Sequence, residues 1–118
     1  MTVRLIKIET HDNVRGNIGV IENPPFPIKR VFYIYNVPVG VMRGGHAHKT
    51  CKQLFISVCG AVRVLLGDGK QFILDCPDEG LYVPPRHIIH LEFLTEDTTL
   101  LVLANKKYDE EDYVYGEG

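Results

Sequence analysis

The sequence predicts an all-β protein, either a β-sandwich or a small barrel, and three observations predict it. Turn-forming residues punctuate the chain at short intervals, and the pieces between them are rich in Val, Ile, Leu, Phe and Tyr, types that suit a pleated sheet. Gly67-Asp68-Gly69 joins two such pieces as a hairpin signal. No stretch carries a sustained helical apolar period, so no long helix is expected. Many short strands in 118 residues must bury their apolar faces against one another, which leaves those two architectures.

In chain order, the candidate strands are Val3 to Ile8, Ile18 to Glu22, Arg30 to Asn36, Gln53 to Val58, Ala61 to Leu66, Gln71 to Leu74, Leu81 to Val83, His87 to Phe93 and Thr99 to Ala104. Asn23-Pro24-Pro25-Phe26-Pro27 breaks any regular element. The one helical expectation is a short turn from Tyr108 to Tyr113, and the acidic run Asp109 to Asp112 within it reads as a solvated tail. Residues 1–118 are expected to form a single domain.

Composition narrows the function. Apolar residues make up 45% and charged residues 24% of the chain, as in ordinary globular proteins. A net charge of −2 provides no basic field for nucleic acid, although a few placed arginines suffice for a phosphorylated small molecule. No apolar run is long enough to span a bilayer. The N-terminal alternation with its Glu9 does not read as a secretory signal. Cys51, Cys59 and Cys76, odd in number and without a C-x-x-C pair, suggest reduced thiols and a cytoplasmic location.

The chemistry concentrates in Arg43-Gly44-Gly45-His46-Ala47-His48-Lys49, followed by Gln53 and Gly60. Histidines at i and i+2 of an extended chain project to the same side. They suit either a metal held by two imidazoles or a base and helper facing one substrate. Strict alternation would turn Gln53 away from them, so a turn or bulge near Thr50 is needed if it joins the pair. His11 and His87 read as polar decoration, and Tyr33 and Tyr35 as core residues with satisfied hydroxyls.

His46-x-His48 with Gln53 and Gly60 resembles the first motif of the cupins, whose metal-ligating Glu is here Gln53. The run from Gly80 to His90, with Pro85 followed five residues later by His90, resembles the second. Together they imply a single-domain cupin, a jelly-roll (double-stranded β-helix) closed into a barrel wide enough for one small ligand. Within that group, the chain resembles the sugar nucleotide 3,4-ketoisomerases of the FdtA/WxcM-like family. The matching pieces are Arg15-Gly16, Pro25 to Ile34, Arg43 to Lys49, Gln53, Gly60, Gly80 to Val83, Leu101 to Ala104 and Tyr108-Asp109-Glu110-Glu111-Asp112-Tyr113. The run Ile88-Ile89-His90 departs from the family's aromatic, His or Arg, and acid.

The resemblance implies an enzyme acting on a dTDP-linked keto-deoxysugar such as dTDP-4-keto-6-deoxyglucose, without metal or organic cofactor. It also implies a homodimer that exchanges N-terminal strands. By position, His48 and His46 are the expected proton-transfer residues, with His48 the principal base, and Tyr33 and Arg43 lie in the active site. Arg15 with Lys29 or Arg30 would serve the nucleotide end, and Gln53 and His90 would line the substrate pocket. Two other readings compete: a metal-dependent cupin using His46, His48, Gln53 and His90, and a non-catalytic nucleotide-sugar-binding module.

Overall fold

A computed structural model describes residues 2–115 and is all-β apart from one short 3-10 turn. The strands are β1 (Arg4–Lys7), β2 (Glu9–Asn13), β3 (Gly16–Val20), β4 (Arg30–Tyr35), β5 (Met42–His48), β6 (Gln53–Cys59), β7 (Val62–Leu66), β8 (Gln71–Leu74), β9 (Glu79–Val83), β10 (Ile89–Phe93), β11 (Thr99–Ala104) and β12 (Tyr113–Tyr115). The 3-10 turn covers Glu110–Asp112, with the Asp109 carboxylate capping it by accepting from the Glu111 N–H. Among the described residues no helix is long and apolar enough to cross a membrane.

Two antiparallel five-stranded sheets carry the fold, in the orders β1-β9-β6-β11-β4 and β12-β5-β10-β7-β8. Val62, Val64, Leu91 and Phe93 of one sheet meet Phe55, Leu81, Leu100 and Val102 of the other in the core between them. Alternation explains the selection: on β7 and β10 every second residue is buried. A smaller apolar layer covers the other side of the first sheet, where Ile8, Phe26, Leu54, Ile56, Tyr82 and Leu103 cluster.

The expected closed barrel is not what forms: neither sheet closes on itself, and the first ends in free edges at β1 and β4. The reason lies along β4, which pairs only with β11. Consecutive residues 32 to 36 on its outer edge line a cleft whose far wall is β5 and β12. Closure would require ladder hydrogen bonds across the space this cleft occupies.

Three strands escaped the sequence reading. Glu9–Asn13 is polar throughout and has no apolar alternation, yet it pairs with β3 as a separate two-stranded hairpin. Met42–His48 contains Gly44-Gly45, and Tyr113–Tyr115 follows an acidic run. Tertiary pairing makes the first two extended against weak local propensity, whereas Tyr-Val-Tyr has strand-forming types but is only three residues long.

Candidate active site

A β-bulge builds the site. On β10, Ile89 faces His46 but its neighbour His90 faces Gly44, so Gly45 is the extra residue on β5. Both glycines are left-handed, with φ of 96° at Gly44 and 82° at Gly45, a conformation other L-residues adopt at a cost. Gly44 also lets β10 approach: a Cβ there would lie 2.7 Å from the Ile89 carbonyl oxygen. The bulge resets the alternation. Arg43 pairs with Leu91 and His46 with Ile89, both core-facing, so residues three apart share one face.

His46 and His48 project together from the end of β5, as their spacing predicts, with ring centroids 5.6 Å apart in an edge-on arrangement. They are not equivalent. His46 lines the cleft between the sheets, about 600 Å³, together with Arg30, Arg43, Gln53 and Tyr113. His48 is 9% exposed and lines a second cavity of about 340 Å³ behind it, with Arg30, Cys51, Lys106 and Asp112. Burial lowers the pKa of both imidazoles, partly opposed at His46 by a hydrogen bond with the Gly44 backbone. At His48 the charge of His46 and that of Arg30 lower it further, while Asp112 pulls it upward.

Asp112 is the residue the sequence reading placed in a solvated tail. It is buried, and its Oδ2 lies 3.3 Å from His48 Nδ1. The contact is off line for a hydrogen bond, so neither ring nitrogen of His48 has a hydrogen-bond partner among the described residues. The carboxylate accepts from the Thr50 N–H at 3.1 Å, the Thr50 hydroxyl at 2.7 Å and the Cys51 N–H at 3.1 Å. Burial alone would raise its pKa; those hydrogen bonds and the nearby His48 hold it below the usual carboxylate value. Tyr113 follows directly and stacks on His46 at 4.6 Å while meeting His48 edge-on at 4.6 Å.

The other expected site residues divide. Gln53 does face the cleft: the chain leaves the second sheet after His48 and enters the first at Gln53, and this crossing supplies the turn near Thr50 that alternation required. Arg30 lines both cavities, its guanidinium 4.2 Å from the Phe32 ring centroid. Lys29 is exposed and lines neither.

Tyr33 pairs with Leu101, which packs in the outer apolar layer, whereas Phe32 and Ile34 face the core between the sheets. Its ring is therefore on the outer face, 62% exposed beside Tyr35, although the residue also borders the cleft. Tyr33 is no core residue, and the tyrosine on the histidines is Tyr113.

His90 alternates with the inward Ile89 and Leu91 and faces Leu65, so its ring lies on the outer face of the second sheet, beside Gly45. The three imidazoles proposed for a metal therefore do not converge. Among the described residues no group of three or more His, Cys, Asp and Glu could hold a metal ion. Arg15 sits in the exposed turn between β2 and β3, its N–H bonded to Asn13 Oδ1 at 2.7 Å, and does not line the cleft. His11, read as surface decoration, pairs with Glu9 on the same hairpin.

Comparison with known proteins gives this arrangement its relatives. Residues 1–117 match the FdtA family, described as WxcM-like, C-terminal. A TDP-4-oxo-6-deoxy-alpha-D-glucose-3,4-oxoisomerase of Aneurinibacillus thermoaerophilus is 38% identical, over 97% of this chain and 86% of that protein. The sugar 3,4-ketoisomerase QdtA of Thermoanaerobacterium thermosaccharolyticum, solved with TDP, superposes with a TM-score of 0.92 at 38% identity, over 95% of this chain and 86% of its own. A histidine-to-asparagine mutant of QdtA has been solved with TDP-4-keto-6-deoxyglucose and superposes at 0.89. A 3,4-ketoisomerase from Helicobacter canadensis gives 0.91 at 32% identity, over 97% and 90%. With its histidine pair, its cleft and a match along nearly its whole length, this chain belongs to the FdtA family of WxcM-like proteins and is an isomerase.

Proposed function

We propose that the protein moves a keto group between C4 and C3 of a dTDP-linked 4-keto-6-deoxyhexose. The observation that carries this is the His46 imidazole on an open cleft, backed by His48 and flanked by Arg43 and Arg30. The substrate class rests on the relatives solved with TDP and with TDP-4-keto-6-deoxyglucose. Two guanidiniums on the cleft suit a diphosphate or a developing oxyanion.

The hydrogen on C3 is acidified by the neighbouring C4 carbonyl. A neutral imidazole takes it, and the electron pair moves to O4 to form an enediolate, which a donor protonates to the enediol. The O3 proton then leaves as the C3 carbonyl forms, and the imidazolium returns its proton to C4. No net proton, electron or co-reactant is consumed. Of the two histidines the geometry favours His46 for the carbon-to-carbon transfer, because His48 lies behind it with both nitrogens out of reach of solvent. This exchanges the roles expected from the sequence. Arg43, brought by the bulge onto the same face as His46, is the cationic donor assigned to the enediolate, a contribution of about 3–4 kcal/mol for one such donor.

The active form in this reading is a pair of chains. The β2–β3 hairpin is a sheet by itself, with Val14 and Arg15 exposed at its turn. Val31, Tyr33 and Tyr35 leave the outer face of the first sheet apolar and open. A second copy can cover that face while its hairpin carries Arg15 to this chain's nucleotide end.

The test is incubation with dTDP-4-keto-6-deoxyglucose in heavy water, with chelator present, followed by NMR. A 3-keto product carrying deuterium at the sugar's C3 or C4 is expected. Binding without conversion or exchange overturns the reading in favour of a binding module. Conversion lost after full metal removal overturns its cofactor-free form.

A further inference from the structure

We propose that Asp112 is a positioning residue for the isomerisation, holding the His48 imidazole in one orientation with the proton on Nδ1 and the lone pair on Nε2. The inference rests on the reading of His46 and His48 as the proton-transfer pair.

Geometry gives three grounds. First, the carboxylate is buried and immobilised. It accepts from Thr50 twice and from Cys51 once, and the Asp112 carbonyl accepts from the Lys49 N–H at 2.7 Å. All these donors lie in the three residues that follow His48, so the carboxylate is tied to the end of the strand that carries both histidines. Second, its Oδ2 is the charged atom at His48 Nδ1, 3.3 Å away. An ionised carboxylate only accepts, so the Nδ1–H tautomer is attracted and a lone pair at Nδ1 would be repelled. Third, the segment is set from both ends. Asp109 caps the turn before Asp112, and Tyr113 after it pairs with His48 and packs on both rings.

An oriented His48 has a use. With the proton on Nδ1, beside the Asp112 carboxylate, its Nε2 is free to take up or relay a proton released by the neighbouring imidazole. The charged and titratable groups around His48 are His46 on its own strand, Asp112 on the 3-10 turn, Tyr113 on β12, Arg30 on β4, and Cys51, Lys106, Lys107, Tyr108 and Asp109 around the rear cavity. Lys106 is occupied, donating to the Thr50 hydroxyl at 2.8 Å. Asp112 is thus the anion at the ring, and His46 and Arg30 act in the opposite sense.

Long-range proton–nitrogen NMR of nitrogen-15-labelled protein reads the tautomer without substrate. Protonated Nδ1 on His48 is expected in the neutral ring. A spectrum with the proton on Nε2 overturns the proposal, whether or not the chain is active. In Asp112→Asn, kcat should fall at least about tenfold, as when the carboxylate that orients a catalytic histidine is lost. KM should stay within about twofold, and the acidic limb of kcat should move to lower pH because an anion that favours the imidazolium is gone. Wild-type kcat with an unmoved limb overturns the proposal. Should that variant fail to fold, the wild-type spectrum still decides. An inactive wild-type chain with the expected tautomer would instead overturn the proposed function alone.

Discussion

Tyr113 lies flat against His46, with ring centroids 4.6 Å apart and planes 21° from parallel, and the same tyrosine meets His48 edge-on. One ring therefore packs both imidazoles from a strand of three residues at the edge of the second sheet. Such contacts contribute about 0.5–1.5 kcal/mol beyond buried area. Tyr113→Ala should lower kcat about tenfold by loosening both rings, whereas Tyr113→Phe keeps the stacking surface and should stay within about threefold. Steady-state kinetics on the two variants checks this, and a large loss in the Phe variant would assign the hydroxyl a direct role.

His46→Asn should reduce kcat by about 10²–10⁴-fold, the range for loss of a general acid–base group, with an unchanged circular dichroism spectrum. His48→Asn should also lose turnover, because an amide cannot cycle a proton at neutral pH. The two differ in exchange: deuterium incorporation into bound substrate should vanish in the His46 variant and persist slowly in the His48 variant. The reverse pattern would return the principal role to His48.

Burial holds both imidazoles below the usual histidine value of 6.5, so at neutral pH the uncharged, proton-accepting form dominates. The acidic limb of activity should therefore lie at lower pH than a free imidazole would give. Stability follows the same sign. Below pH 6.5 the unfolded chain takes up protons that the folded one refuses, so unfolding free energy falls between 6.5 and the lowered values. The Asp112 contribution fails later, as pH drops through its depressed pKa below 3.8. Urea unfolding across pH 7 to 5 measures the first effect.

Gly44→Ala tests the bulge. The added Cβ would meet the Ile89 carbonyl oxygen at 2.7 Å, in a backbone with φ of 96°. Residues forced into such a conformation cost about 1–3 kcal/mol. The variant should lose that much stability in urea and should also lose kcat, since the bulge brings Arg43 and His46 onto one face. Unaltered stability would show that β5 and β10 separate freely there.

If Arg15 of one chain completes the cleft of another, Arg15→Ala should raise KM about tenfold or more, the scale of a lost charge-assisted hydrogen bond. Mixing Arg15→Ala chains with His46→Asn chains under exchange conditions should restore activity, because one site of each mixed pair receives both wild-type residues. No recovery in a demonstrated mixed dimer would confine Arg15 to its own chain or remove it from the site.

The strands that carry the core were legible in the sequence because alternate burial leaves a period of two, as on Ala61 to Leu66, or because burial on both faces leaves a near-continuous apolar run, as on Thr99 to Ala104. So was the shared direction of His46 and His48, which follows from pleat geometry alone, and the family, whose motifs run along nearly the whole chain. The partners of those histidines were not. Asp112 and Tyr113 sit in an acidic, tyrosine-flanked segment that looks solvated in isolation, and it becomes buried only when β12 joins β5. The outward direction of the Tyr33 and His90 rings is likewise absent from local sequence, because it follows from the pairing of β4 with β11 and of β10 with β7. Local sequence records which side of its own strand a residue takes. Which side faces the cleft, and whether two sheets close or leave one open, depends on distant strands meeting, and that was settled only by tertiary packing.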